Sequence, residues 1–176
     1  IEPIYRKYGI KRIIASTYQA VSGAGWAAIE ALRKESEDYL AGRQVKPEVL
    51  PMKSGSVHHQ IAFNVIPHID VFYEDGYTKE EHKMVDETRK IFADNKIQVC
   101  ATTVRVPVFR SHSESINIET VKDFDIEDVK DSIATGKGLV LEDDPMRGVY
   151  PMPFMVSGST LVHVGRVRVD SSAPRS

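Results

Sequence analysis

A proline stands between two runs of strand-forming residues, and that break limits what the chain can fold into. Residues 102–106 read Thr-Thr-Val-Arg-Val, β-branched with one arginine near the centre. Residues 113–120 partly alternate polar and apolar, and Pro107 separates the two runs because proline is excluded from central strands. The chain must turn between two strands here. Arg105 and His112 are seven positions apart, an odd spacing that would send them to opposite faces of one unbroken strand. They converge only if the turn brings them round. A guanidinium presents a planar fork to a carboxylate, and an imidazole exchanges a proton near neutral pH. An anion clamp beside a proton shuttle is an active-site pairing. The same residue types also serve as solvated strand charges and a hydrogen-bonded histidine, and composition alone does not separate the two.

With 176 residues, 41% hydrophobic and 27% charged, the chain has the mixture of one globular domain with a substantial core. The expected layout is one domain over 1–170 and a disordered Ser/Pro/Arg tail over 171–176. A formal charge of -2 and no basic run give no footprint for nucleic acid. No apolar stretch is long enough to span a bilayer, and no secretory core is visible, so a soluble, reducing, cytoplasmic setting is expected. The single cysteine, Cys100, lies between Val99 and Ala101 in a strand pattern and reads as core packing rather than a nucleophile.

Three helices are predicted. The first runs over 26–40, with Ile29, Leu32, Tyr39 and Leu40 on one side and Gly42 as a stop, after a small-residue turn containing Ser22, Gly23 and Gly25. Such a turn can present backbone N–H groups to an anion or simply be a tight connection. The second starts at Thr78-Lys79-Glu80-Glu81, a capping box, and should reach about residue 93. Glu80 and Lys83 lie at i and i+3 on its first turns, as a receptor for a zwitterionic or phosphorylated ligand or as an ordinary surface ion pair. The third begins at Asp125, with Ile126, Val129 and Ile133 as its apolar stripe. Strands are expected over 10–16, 97–106, 113–120, 139–141 and 162–169, and the run 143–158 is expected to be loop. His58, His59 and His68 lack a second ligand cluster, so no metal site is expected.

Three motifs resemble one family. Ser16-Thr17-Tyr18-Gln19-Ala20-Val21-Ser22-Gly23-Ala24-Gly25 looks like the substrate and cofactor turn of aspartate-semialdehyde dehydrogenases. Ala62-Phe63-Asn64-Val65-Ile66-Pro67-His68-Ile69-Asp70 looks like their core signature, and Val104-Arg105-Val106-Pro107 with Ser111-His112-Ser113-Glu114 looks like their catalytic segment. The resemblance implies an α+β fold, a mixed and largely antiparallel sheet covered by helices, similar to the carboxy-terminal domain of glyceraldehyde-3-phosphate dehydrogenase. It implies NADPH-dependent reduction of β-aspartyl phosphate to aspartate β-semialdehyde, with release of phosphate, on the route to lysine, threonine and methionine. It also implies a homodimer. Carried over by position, Gln19 orients the substrate, Arg105 holds its carboxylate, Glu80 meets its amino group and Lys83 its phosphate. His112 is the general acid/base, and Ser22 and Gly23 lie against the NADP cofactor.

The chain also departs from that pattern. Nothing matches the family's nucleophilic cysteine in its Asn-Cys-Ser-Thr context, its amino-terminal dinucleotide-binding domain or its carboxy-terminal helix. The expectation is therefore a catalytic and dimerisation domain that is inactive alone. The alternative is a non-catalytic dimerisation or binding module that keeps the fold.

Overall fold

A computed structural model describes all 176 residues. In chain order the elements are α1 (Glu2–Tyr8), β1 (Ile10–Gln19), α2 (Trp26–Leu40), α3 (Lys79–Phe92), β2 (Gln98–Arg105) and β3 (Ser113–Thr120). They are followed by α4 (Ile126–Ala134), β4 (Leu139–Leu141), α5 (Pro153–Val156) and β5 (Val162–Val164). Strands β2, β1 and β3 form a three-stranded sheet in that order, and β4 pairs with β5 in parallel, Leu139 against Val162 and Leu141 against Val164. The class is α+β with a mostly antiparallel sheet, as expected.

The chain packs as two compact units. One comprises residues 16–86 and 101–115. Its core is Val21, Ala28, Leu32, Leu50, Ile61, Ala62 and Ile66. Helix α2 covers this core with Ala28, Leu32 and Glu35, an i, i+4, i+7 stripe. The expected face was wrong at its far end: Tyr39 and Leu40 are exposed, while the acidic Glu35 is buried. Its carboxylate earns that place by accepting from Ile61 N at 2.7 Å and Ala62 N at 3.1 Å, backbone donors that would otherwise be buried without partners.

At the start of α3 the capping box forms as read. Thr78 N donates to Glu81 Oε2 at 2.7 Å, and Glu81 N donates to Thr78 Oγ1 at 3.3 Å. Glu81 does more than cap, because its Oε1 accepts from Thr103 N of β2 at 2.9 Å. One buried carboxylate thus joins the N-terminus of α3 to β2 two residues before Arg105.

The other unit comprises residues 1–15, 87–100 and 116–176. Tyr8, Val129 and Ile133 form its core, with Ile4, Phe124, Leu139, Leu141 and Val164 against them. Asp125 caps α4 by accepting from Glu127 N and Asp128 N. Cys100 is half-buried rather than fully in the core. The last strand is shorter than its alternation suggested: β5 stops at Val164, and Arg166 takes a φ of 59°, which leaves the strand region. The run 143–158, expected to be loop, contains a short 3-10 turn and α5. The final residues, expected to be disordered, follow a defined path. Thr120 N at the end of β3 donates to Arg175 O at 2.8 Å, and Asp170 N donates to Ser176 O at 2.9 Å. Composition misses this because the strand end supplies the donor, and backbone carbonyls of any side-chain type can answer it.

Candidate active site

The break at Pro107 turns the chain as its sequence demands. Past it, the loop is fastened to the end of β1: Val21 N donates to Val108 O at 2.9 Å, and Ser22 N donates to Phe109 O at 3.2 Å. Ser111, with φ 70°, then reverses the backbone into the left-handed region and delivers His112 beside Ala20. Arg105 is fixed from the other side by Ile66, with which it exchanges backbone bonds.

Gln19, Gly23, Glu80, Lys83, Arg105 and His112 line one open cavity of about 480 Å³. They come from three separate stretches of sequence, 19–23, 80–83 and 105–112, all within the unit formed by 16–86 and 101–115. Ser22 is half-buried next to Gly23 but is not among the lining residues. Sequence reading missed Lys53 and Asp70, which also line the cavity. Lys53 sits in an aperiodic polar connection where no local signal marks it.

Polar side chains on the cavity wall are linked to one another. Gln19 Nε2 donates to Glu80 Oε1 at 3.4 Å, and Glu80 Oε2 pairs with Lys83 Nζ at 3.6 Å. Arg105 is only 5% exposed and donates Nη1 to Ala20 O at 2.8 Å, but no carboxylate lies within ion-pairing distance of it and its buried Nε has no partner. Burial lowers its pKa, opposed by Glu80, although an arginine so placed keeps its charge at neutral pH. A buried cation without a direct ion pair is expensive, and a bound anion relieves that cost. His112 accepts at Nδ1 from Ala20 N at 2.9 Å. Burial of the ring's inner side, then the charge of Arg105, hold its pKa below the usual range against the opposing Glu80.

Gly23 marks where these two groups meet the open side. A Cβ at this position would lie 3.0 Å from Arg105 Nη1 and 3.1 Å from His112 Nε2, so glycine leaves room that any other residue would fill.

The residues of the whole chain, 1–176, match the family model described as semialdehyde dehydrogenase, dimerisation domain. This chain belongs to that family. It is 50% identical over 170 residues to an aspartate-semialdehyde dehydrogenase of Aquifex aeolicus, covering 97% of this chain and 48% of the relative. It is 46% identical over 171 residues to the Bacillus subtilis enzyme of that name, covering 97% of this chain and 49% of the relative. A crystal structure of Vibrio cholerae aspartate semialdehyde dehydrogenase II, complexed with ASA, superposes with a TM-score of 0.89 at 42% identity, over 98% of this chain and 49% of that one. A Candida albicans aspartate semialdehyde dehydrogenase with NADP superposes at TM-score 0.63 and 23% identity, a likeness of fold. The dimerisation-domain chain therefore spans about half the length of the relatives it matches. No helix in it is long and apolar enough to cross a membrane.

Proposed function

We propose that this chain is the substrate-binding and dimerisation part of an NADP-dependent aspartate-β-semialdehyde dehydrogenase. The observation that carries the reading is Arg105: a buried guanidinium with no carboxylate at ion-pairing distance, on the wall of a cavity it shares with His112, Glu80 and Lys83. A β-aspartyl phosphate has a carboxylate, an ammonium and a phosphoryl group. Arg105 receives the carboxylate, Glu80 the ammonium and Lys83 the phosphate, while Gln19, held by Glu80, orients the reacting end. Fixing both ends of the substrate reduces the entropy cost of reaching attack geometry. His112 manages the proton at the reacting carbonyl oxygen.

NADPH, when bound, would supply a hydride, and on this reading Gly23, which lines the cavity, and Ser22 beside it contact that cofactor. No cysteine lines the cavity, so the thiol for a thioacyl step is not supplied by these lining residues. Residues 1–176 by themselves bind substrate and do not turn it over. The names of the relatives support a role in amino-acid synthesis, and on this reading the products are lysine, threonine and methionine. The family description supports a homodimer.

The test is titration of the chain with aspartate β-semialdehyde and with inorganic phosphate, followed by nuclear magnetic resonance of the His112 ring and the arginine side chains. Saturable shifts at Arg105 and His112 support the reading. Absence of binding at millimolar ligand, or binding that Arg105→Met leaves unchanged, overturns it and favours a dimerisation module without substrate.

A further inference from the structure

The backbone of one residue, through two successive peptide groups, touches both chemical groups of the cavity. Ala20, fully buried, donates its N–H to His112 Nδ1 at 2.9 Å and accepts Arg105 Nη1 at its carbonyl at 2.8 Å. A backbone N–H is a donor only, so the ring nitrogen that receives it must present a lone pair. The neutral imidazole then carries its proton on Nε2, the nitrogen that lies against Gly23, which lines the cavity with His112.

We propose that the Ala20 peptide holds His112 as the Nε2–H tautomer, so that His112 meets the ligand as a hydrogen-bond donor to its carbonyl or alkoxide oxygen and not as a resting base. The proposal rests on reading the cavity as a site for an acyl phosphate or aldehyde.

The peptide plane cannot easily turn to suit the other tautomer. Gln19 O, on the same plane as Ala20 N–H, accepts from Val106 N at 3.0 Å, and the next amide, Val21 N, donates to Val108 O at 2.9 Å. An Nδ1–H ring or an imidazolium would set two donors against each other at the Ala20 contact. Among the charged groups, Arg105 also disfavours the imidazolium and Glu80 favours it, while Lys53, Asp70 and Lys83 line the same cavity. A neutral imidazole with its N–H aimed at a developing oxyanion stabilises charge without giving up the proton, a use of histidine known in other enzymes. For Nε2 to act as a base, its proton must first leave and the Ala20 bond must break.

The state is readable without ligand or turnover. In the chain labelled with nitrogen-15 histidine, long-range proton–nitrogen correlation identifies the tautomer, with the His112→Gln variant assigning the resonance. The expected result at pH 7 is a neutral ring protonated on Nε2; a ring protonated on Nδ1, or an imidazolium, overturns the proposal. As an independent readout, exchange of the Ala20 amide hydrogen should quicken at least about tenfold in His112→Ala, since the ring is its acceptor. An unchanged rate overturns the proposal too. If the tautomer is as stated and no substrate binds, the functional reading fails by itself; if substrate binds to a ring protonated on Nδ1, only the tautomer assignment fails.

Discussion

Arg105 and Ile66 exchange both backbone hydrogen bonds, Ile66 N to Arg105 O at 2.9 Å and Arg105 N to Ile66 O at 2.8 Å. This antiparallel bridge is isolated, because Pro67 follows at once and cannot extend a ladder. The arginine backbone is held where its side chain needs to be. Arg105→Lys keeps the charge but loses the planar fork, and the bond to Ala20 O is no longer matched in geometry. A charge-assisted bond contributes roughly 1.5–3 kcal/mol, so substrate affinity should fall about 10- to 100-fold. Calorimetric titration checks it; lysine at wild-type affinity would remove Arg105 from the carboxylate.

Gly23→Ala should harm the site and spare the fold. Its added methyl group crowds Arg105 Nη1 and His112 Nε2, both side-chain atoms, and the position is exposed. In the assembled enzyme kcat/KM should fall by about tenfold or more, equivalent to ~1.4 kcal/mol or more of transition-state stabilisation. The melting temperature of the chain should stay within about 2 °C of the wild type. A large loss of stability with normal turnover would contradict the placement.

Glu81→Ala should be costly to stability, since the carboxylate satisfies Thr78 N and Thr103 N in a buried setting. Leaving two buried donors unpaired costs about 2–4 kcal/mol. Urea unfolding gives the value. A loss under about 0.5 kcal/mol, the ordinary scatter of surface substitutions, would mean the staple between α3 and β2 does not hold.

Stability should fall with acid partly through His112. Its pKa in the folded chain lies below the ordinary 6.5, chiefly because the ring is desolvated and then because Arg105 is near. The unfolded chain therefore takes up the proton first as pH falls, and stability is lost from about pH 6.5 downward through the folded value. His112→Gln should lose less stability than the wild type between pH 7.5 and pH 5. Equal losses, measured as urea midpoints, would deny His112 the shifted pKa.

Self-association follows from the family. Phe63, Val65, Met146 and Phe154 are among the large apolar side chains left exposed, more than 55% in each case. Sedimentation equilibrium should find a dimer at micromolar concentration. A species of 19.7 kDa alone would count against it.

Local chemistry was legible from residue order. The capping box at Thr78 and Glu81, the cap at Asp125 and the break at Pro107 depend on contacts within a few positions, so the sequence by itself determined them. The family resemblance likewise pointed to Gln19, Gly23, Glu80, Lys83, Arg105 and His112, which share one cavity. What only the tertiary structure decided was long-range. Glu35 looks like a surface residue until the backbone of Ile61 and Ala62 arrives to need its carboxylate. Lys53 and Asp70 join the site through loops without periodicity, and the tail is ordered by a strand end more than fifty positions away. The state of His112 belongs to the same class. Imidazole chemistry allows either tautomer, and the choice falls to a backbone N–H 92 positions earlier, which only the folded chain brings within 2.9 Å.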